Sequence, residues 1–376
     1  MAKGAYFGVN SLAKKIKKMY IGVGGIAHKV KKAYIGIAGK ARVWFSGGEP
    51  EYSGTVSSLS IGRTGYCTEC KTPTHCVFGG GVHFDGTGGK FYSQNTAEAY
   101  SYDLTSMVLT PLSNITRYNR GCSTGQYALV AGGEGNSVVK SVDAYDSSLT
   151  KSVASNLTYG GMHQGAARVG DFALFAGGYP NTDSKNIVDV YDSSLTKQSS
   201  LRLVVTSYYM GSTTFNSKAV FAGGKGGTKT KTDYISVFDE SLTREQYVLS
   251  SARSGILCLS ISDTLLCIGG ASGRIVDMYN YDMTLTTTTF PFSDDMTSNS
   301  HFGSSTGDFG IIFTGKSNNT QIIDSDLTLK FSTDVNKAIN AGFSGVIGDT
   351  VIIGGGYFTN SSDNSESPVE MYSYSM

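Results

Sequence analysis

A two-part motif recurs along most of this chain at nearly even steps. Its first half is a short apolar run ending in glycine. It appears as Cys76-Val-Phe-Gly-Gly80, Leu129-Val-Ala-Gly-Gly133, Leu174-Phe-Ala-Gly-Gly178, Val220-Phe-Ala-Gly-Gly224, Leu266-Cys-Ile-Gly-Gly270, Ile312-Phe-Thr-Gly315 and Ile352-Ile-Gly-Gly355. Its second half is an aromatic or aliphatic residue followed by a polar turn. It appears as Tyr100-Ser-Tyr-Asp-Leu-Thr105, Tyr145-Asp-Ser-Ser-Leu-Thr150, Tyr191-Asp-Ser-Ser-Leu-Thr196, Phe238-Asp-Glu-Ser-Leu-Thr243, Tyr279-Asn-Tyr-Asp-Met-Thr284, Ile323-Asp-Ser-Asp-Leu-Thr328 and Tyr372-Ser-Tyr-Ser-Met376. The Leu or Met of this turn falls at 104, 149, 195, 242, 283 and 327, in steps of 45, 46, 47, 41 and 44 residues. Such spacing describes one supersecondary unit repeated in series.

Each apolar run of four or five residues between turn signals reads as a strand buried on both faces. The paired glycines permit a sharp turn and a close approach of neighbouring backbone. Asp and Ser at the second strand end bond to their own backbone and favour a turn. A period in the forties built from short β-rich runs predicts an all-β fold, a seven-bladed β-propeller over 54–376. The competing reading, an irregular sandwich with chance Gly-Gly pairs, fits poorly with seven copies in near register. The seventh copy has no fourth strand after it. Ser53-Gly-Thr-Val-Ser-Ser-Leu-Ser-Ile-Gly-Arg63 resembles Lys151-Ser-Val-Ala-Ser-Asn-Leu-Thr-Tyr-Gly160, the fourth strand of an earlier copy. Residues near 54–60 are therefore expected to close the ring against 369–374 and so remove an exposed edge.

The first 46 residues follow a different, 14-residue repeat. Its copies start at Ala5-Tyr-Phe-Gly-Val, Met19-Tyr-Ile-Gly-Val and Ala33-Tyr-Ile-Gly-Ile, and each passes through a two-residue turn signal at Asn10-Ser11, Gly24-Gly25 or Ala38-Gly39. Alternating runs around such a link predict three tight hairpins, joined as a meander; a helix over 12–18 is the alternative. This segment holds ten Lys and Arg and no acidic residue, which leaves 21 basic and 30 acidic residues for the rest of the chain. Asymmetry of this kind fits binding to an anionic surface, docking on an acidic partner, or a solvated lysine face that protects strand edges. A meander this small buries little by itself, so 1–46 is expected to anchor the chain to another protein or to copies of itself. Tyr6, Tyr20, Tyr34 and Trp44 are the candidate contact residues. Residues 47–53, with Gly47-Gly-Glu-Pro50, read as a linker.

The net charge is +1, which by itself implies no partner, and nucleic acid is not expected. No run of 18 apolar residues is present, so no helical membrane span is expected. The basic start lacks an apolar core and a cleavage site, so a secretory signal is not expected. Cys67-Thr-Glu-Cys70 followed by His75-Cys76 is a weak zinc candidate. Its ligands would have to span a strand–turn–strand unit, and Cys76 belongs to an apolar strand; reduced, buried thiols are the expectation.

No catalytic pattern stands out. The chain has no Gly-x-Ser-x-Gly elbow, no His-Glu-x-x-His and no phosphate loop. No cofactor is implied. Binding is the stronger reading, and two long loops after Gly-Gly strands point to where. One covers 81–95 with His83, Phe84, Asp85, Phe91 and Tyr92; the other covers 356–368 with Tyr357, Phe358, Asn360 and Asp363. They belong to the first and last repeats, which are neighbours in a closed ring. Aromatic faces beside amide and carboxylate groups suit a sugar, which offers C–H faces and hydroxyls together. Arg63, Arg117 and Arg253 lie near blade-to-blade turns and could face the same side.

In its Gly-Gly and Tyr-Asp strand ends the chain resembles kelch-type β-propellers over about 54–376. It departs from them in lacking a Trp in the fourth strand, since the one Trp is Trp44. The Tyr-Ile-Gly-Val repeat followed by basic residues, together with blades reading Tyr-Asp-Ser-Ser-Leu-Thr-Lys, resembles phage and prophage proteins of Firmicutes. That resemblance implies a non-enzymatic virion protein, made in the bacterial cytoplasm and located in a tail, fibre or surface decoration. Residues 1–46 would hold it to other virion proteins, and the propeller would bind host-surface glycan or protein. A purely structural decoration protein and a glycan-active enzyme are the alternatives.

Overall fold

The runs that end in Gly-Gly become strands with almost no solvated face: Phe172–Ala176 and Lys218–Ala222 are each enclosed along four of their five residues. A strand buried on both faces needs packing on either side of its sheet, and here the neighbouring sheets supply it. The computed structural model describes residues 6–9, 12–15, 19–23, 26–30, 32–37, 40–46, 50–62, 64–84, 91–180, 186–227, 230–270, 273–291, 302–313, 319–334, 342–355 and 371–375. The fold is all-β, a seven-bladed propeller of antiparallel sheets. Blades 2 to 6 are four-stranded meanders in chain order; blade 2, for example, runs Arg120–Ser123, Ala128–Ala131, Val142–Tyr145, Lys151–Ala154. The innermost strands touch one another in sequence around the axis, and Thr64–Lys71 of blade 1 meets Phe343–Ile347 of blade 7.

Blade 7 is completed by the chain's own early segment. Glu51–Val56 pairs with Met371–Ser375, with Met371 opposite Val56, Ser373 opposite Gly54 and, past a bulge, Tyr374 opposite Tyr52. The closing strand thus begins inside the expected linker 47–53 and stops short of residue 60. The reason lies at Leu59, which is buried like Leu157 in the blade 2–3 connection. Residues 57–60 are the start of a connection pinned by that leucine, and the strand is what precedes it. Tyr52 adds a ring contact with Tyr374, centroids 5.3 Å apart.

Seven apolar clusters fill the seven wedges between blades. Tyr100, Tyr145, Tyr191, Tyr279 and Tyr374, from the ends of third strands, are among the largest fully buried side chains. Four of them also bond across the wedge: the hydroxyls of Tyr100, Tyr145 and Tyr279 donate to the carbonyls of Ser57, Thr110 and Val248 at 2.6–2.8 Å, and that of Tyr374 to Thr320 Oγ1 at 3.1 Å. A buried phenol usually finds such a partner; the Tyr191 hydroxyl is the exception. One position earlier in the sheet face, Asp143 and Asp189 accept from the backbone N–H and hydroxyl of Ser113 and Thr158 in the preceding connection. Lys151 and Lys197 balance those carboxylates at 3.1 and 3.8 Å.

The axis is a channel of about 710 Å³ lined by the innermost strands, rich in Gly, Ala, Ser and Thr. Small residues are required where seven strands converge. Their hydroxyls also satisfy the strand edges that face the next blade: Ser212 accepts from the Ala166 N–H, and Thr214 both accepts from and donates to the backbone of Arg168. An edge left without partners would be costly there.

In the N-terminal segment the three hairpins form with two-residue links, Val9 opposite Leu12, Val23 opposite Ile26 and Ile37 opposite Lys40. Among the described residues they are three separate two-stranded sheets, so the expected meander is corrected. No helix of the described residues is long and apolar enough to cross a membrane.

Candidate functional site

In a four-stranded antiparallel blade, the loop after the second strand and the connection to the next blade emerge at the same end. On that face of blades 2 to 4, five aromatic rings run in contact from the channel axis outward. Tyr118 lies 4.3 Å from His163, and His163 stacks on Tyr209 at 3.8 Å and 26°. Tyr209 meets Tyr208 at 5.4 Å, and Tyr208 meets Tyr179 at 5.2 Å. The Arg117 guanidinium lies 5.3 Å from the Tyr118 centroid, and the Lys225 ammonium lies 5.4 Å from that of Tyr209, both within cation–π range.

The backbone places these rings. Tyr118, His163 and Tyr209 each stand two residues before an innermost strand, and each has a left-handed φ of 57°, 57° and 55°; Gly255 holds the next such place at 70°. The His163 N–H donates to the Tyr118 carbonyl, the Tyr209 N–H to His163 and the Gly255 N–H to Tyr209, at 2.8–3.2 Å. One hydrogen bond per blade thus steps around the channel mouth. A left-handed tyrosine costs of order 1–3 kcal/mol and persists where its surroundings over-determine it. Here it turns consecutive rings toward one another instead of into the wedges.

The electrostatics are one-sided. His163 is held neutral, its pKa pulled down to about 3 by burial first and then by Arg120 and Lys225. Tyr209 is raised, chiefly by burial and then by the neighbouring tyrosines. Arg120 follows the Tyr118 turn, near enough for its charge to act on His163 and Tyr209. Its Nε donates to the Gln164 carbonyl at 2.7 Å and one terminal nitrogen approaches the Asn119 carbonyl at 3.5 Å. Burial lowers its pKa, yet a guanidinium stays charged. The nearest acid noted on this rim, Glu134, is bridged by Arg117 at 3.1 Å.

The residues expected from sequence fare differently. His83 is half-buried and its Nδ1 lies 2.9 Å from the Gly62 carbonyl, which ties it to the connection entering blade 1. The loop expected at 81–95 is largely a hairpin, with Phe84 opposite Phe91 and His83 opposite Tyr92; Tyr92 is exposed. Asp85, Tyr357, Phe358, Asn360 and Asp363 lie outside the described residues, as do Arg63 and the side chains of Phe84, Phe91, Tyr6, Tyr20, Tyr34 and Trp44. Of the arginines singled out, Arg117 joins the ring run. Arg253 is fully buried and pairs with Asp277, so its role is packing.

The zinc candidates are not brought together. Cys70 packs into the wedge toward blade 2 with Val77, and Cys76 into the wedge toward blade 7 with Phe78 and Phe343. Cys70 pairs across the sheet with Val77, the neighbour of Cys76, so alternation puts the two thiols on opposite faces. His75 contacts Thr74 Oγ1 at 2.8 Å, and the Cys67 side chain is not among those described. Among the described residues no three His, Cys, Asp or Glu side chains gather as a metal site.

The sequence reading missed Tyr118, Arg120, His163, Tyr179, Tyr208, Tyr209 and Lys225. A signal was present: residues 118, 163 and 209 are spaced by 45 and 46, the repeat step itself.

No family model matches this sequence, and no curated protein matches it. Solved structures do match in fold. YjhT aligns with a TM-score of 0.51 at 12% identity, over 84% of this chain and 96% of its own. Virginiamycin B lyase from Staphylococcus aureus aligns with a TM-score of 0.57 at 10% identity, over 87% of this chain and 100% of its own. At these identities the likeness is one of fold: the chain shares a β-propeller architecture with both proteins.

Proposed function

We propose that this chain is a non-enzymatic virion protein of kelch-like type. Its N-terminal hairpins attach it to the particle or to other copies, and its propeller binds glycan on the host surface. The observation that carries the binding reading is the five-ring run on the loop face of blades 2 to 4. Aromatic faces stack against the C–H faces of sugars, and the surrounding Tyr, His and Lys groups offer partners for hydroxyls. His163 supports binding over acid–base chemistry: with a pKa near 3 it is a poor general base at neutral pH.

The decoration alternative calls for an apolar patch on one face. Among the described residues the most exposed aliphatic side chains, Val108, Val153, Val248 and Leu329, instead belong to the outermost strands of four different blades. Scattered residues of this kind are ordinary. A titration of the full chain with purified cell-wall polysaccharide tests the proposal. Saturable binding that Tyr209→Ala and Tyr118→Ala each weaken about tenfold or more is expected, since a base or sugar ring stacked on an aromatic face contributes on the order of 1–3 kcal/mol. Wild-type binding unchanged in both variants would remove the ring run from the function. Immunogold labelling of purified particles tests the location, with label at the tail tip or fibres expected.

A further inference from the structure

We infer that the glycan is anionic, and that one of its carboxylate or phosphate oxygens seats on the Arg120 guanidinium beside the ring run. This rests on the glycan reading above. A guanidinium carries five N–H donors in a fixed fork. At Arg120 the recorded bonds go only to two backbone carbonyls, those of Gln164 and Asn119, and among the described residues no carboxylate lies within ion-pair distance of it. The contrast with other arginines of the propeller is plain. Arg253, which is fully enclosed, is matched by Asp277 at 2.5 Å, whereas Arg120 is half-buried. Arg168, at the opposite end of the channel, is matched by Asp171 at 3.2 Å. A half-buried guanidinium without a counter-charge keeps donors within reach of a dissolved anion.

What surrounds Arg120 makes the place suited to an anion. Two further cations stand on the same rim, Lys225 over Tyr209 and Arg117 over Tyr118, and Arg117 is bridged to Glu134. His163 between them is held neutral and adds no charge of its own. An oxyanion on the fork and a sugar ring against the tyrosines of the run would draw on the charge and the rings together. Arg pairs with a carboxylate or a phosphate in the same bidentate geometry, so the chemistry is shared by acidic sugars and by phosphodiester-linked polymers.

The test is calorimetric titration of the full chain with four matched probes: a neutral oligosaccharide, its carboxylated form, its phosphorylated form and inorganic phosphate alone. The expected result is binding of one or both acidic forms at least about tenfold tighter than the neutral form, weakening as salt rises. The carboxylated and phosphorylated arms decide which source supplies the anion. Arg120→Gln is expected to abolish the preference and leave neutral binding in place, and Arg120→Lys to restore part of it. Tyr209→Ala is expected to weaken all three sugars alike. Equal affinity for neutral and acidic sugars, or a preference that survives Arg120→Gln, overturns the anion site while the glycan reading stands. Phosphate alone binding as tightly as the phosphorylated sugar overturns it as a glycan site. No sugar binding at all overturns both readings. Should Arg120→Gln melt well below the wild type, Arg120→Lys against the same probes carries the test.

Discussion

The turn leucines show how one residue serves two demands. Leu104, Leu149, Leu195, Leu242, Met283 and Leu327 all adopt φ near 60°, a conformation that disfavours any residue with a Cβ. Glycine would fit without strain, yet the side chains at these places pack against the wedge clusters. Burial of a leucine offsets a backbone cost of about 1–2 kcal/mol. Two substitutions separate the terms. Leu149→Ala is expected to lose about 2 kcal/mol in denaturant unfolding. Leu149→Gly is expected to be no worse than Leu149→Ala, reversing the usual order, because glycine alone relieves the turn. His163 gives a second outcome at this scale. Its folded pKa of about 3 lies below its ordinary value of 6.5, so the unfolded chain binds the extra proton between them. Its contribution is therefore fully present above about pH 6.5 and is lost as pH falls toward 3. Melting temperature measured from pH 7 to pH 4 should fall less steeply in His163→Gln than in the wild type.

At the scale of elements, a buried carboxylate latches blades 2, 3 and 5 to the segment that precedes each. Asp143 and Asp189 grip an N–H and a hydroxyl of the preceding connection, and Asp277 does the same to the Ser250 N–H with Arg253 as its counter-ion. These carboxylates fix where one sheet ends relative to the next. The Arg253–Asp277 pair is fully enclosed, so breaking it is a sharper test than breaking a surface pair. Arg253→Met strands a buried carboxylate and is expected to cost about 3–5 kcal/mol. The double variant Arg253→Met with Asp277→Leu should recover part of that loss, which chemical denaturation of the three proteins would show. If the double variant is the least stable, the carboxylate contributes through Ser250 and Thr287 more than through the arginine.

For the whole molecule, closure is the property that matters. Glu51–Val56 belongs to the last blade although it precedes the first, so the ring joins distant parts of the sequence with a single strand. A chain beginning at Pro50 is expected to unfold cooperatively with a melting temperature close to that of the full chain. A chain beginning at Ser57 leaves Met371–Ser375 as an open edge and is expected to aggregate or melt broadly. Light scattering and thermal denaturation of the two truncations distinguish these outcomes; a well-behaved chain from Ser57 would show that closure is dispensable. A cut at residue 54, where the sequence places the domain start, divides the closing strand.

The sequence by itself determined the number of blades, the strand that ends in Gly-Gly, the polar turn after the tyrosine and the two-residue links of the N-terminal hairpins. Each is a local pattern, repeated, and repetition makes a weak signal strong. It also showed that an early segment matches a fourth strand, though Leu59 looked like strand and proved to be an anchor in the connection. The ring run was not legible in the same way. Tyr118, His163 and Tyr209 differ in type and sit in blade-to-blade connections, where no apolar period marks them. What makes them neighbours is the convergence of blades on one axis, which brings residues 45 and 46 positions apart to within a ring's thickness. Arg120 is the plainest case: in the sequence it is one of 31 basic residues. Only the tertiary structure brings it beside His163 and Tyr209 with no carboxylate within ion-pair distance among the described residues, because the charge around a residue is set by every chain segment that packs there.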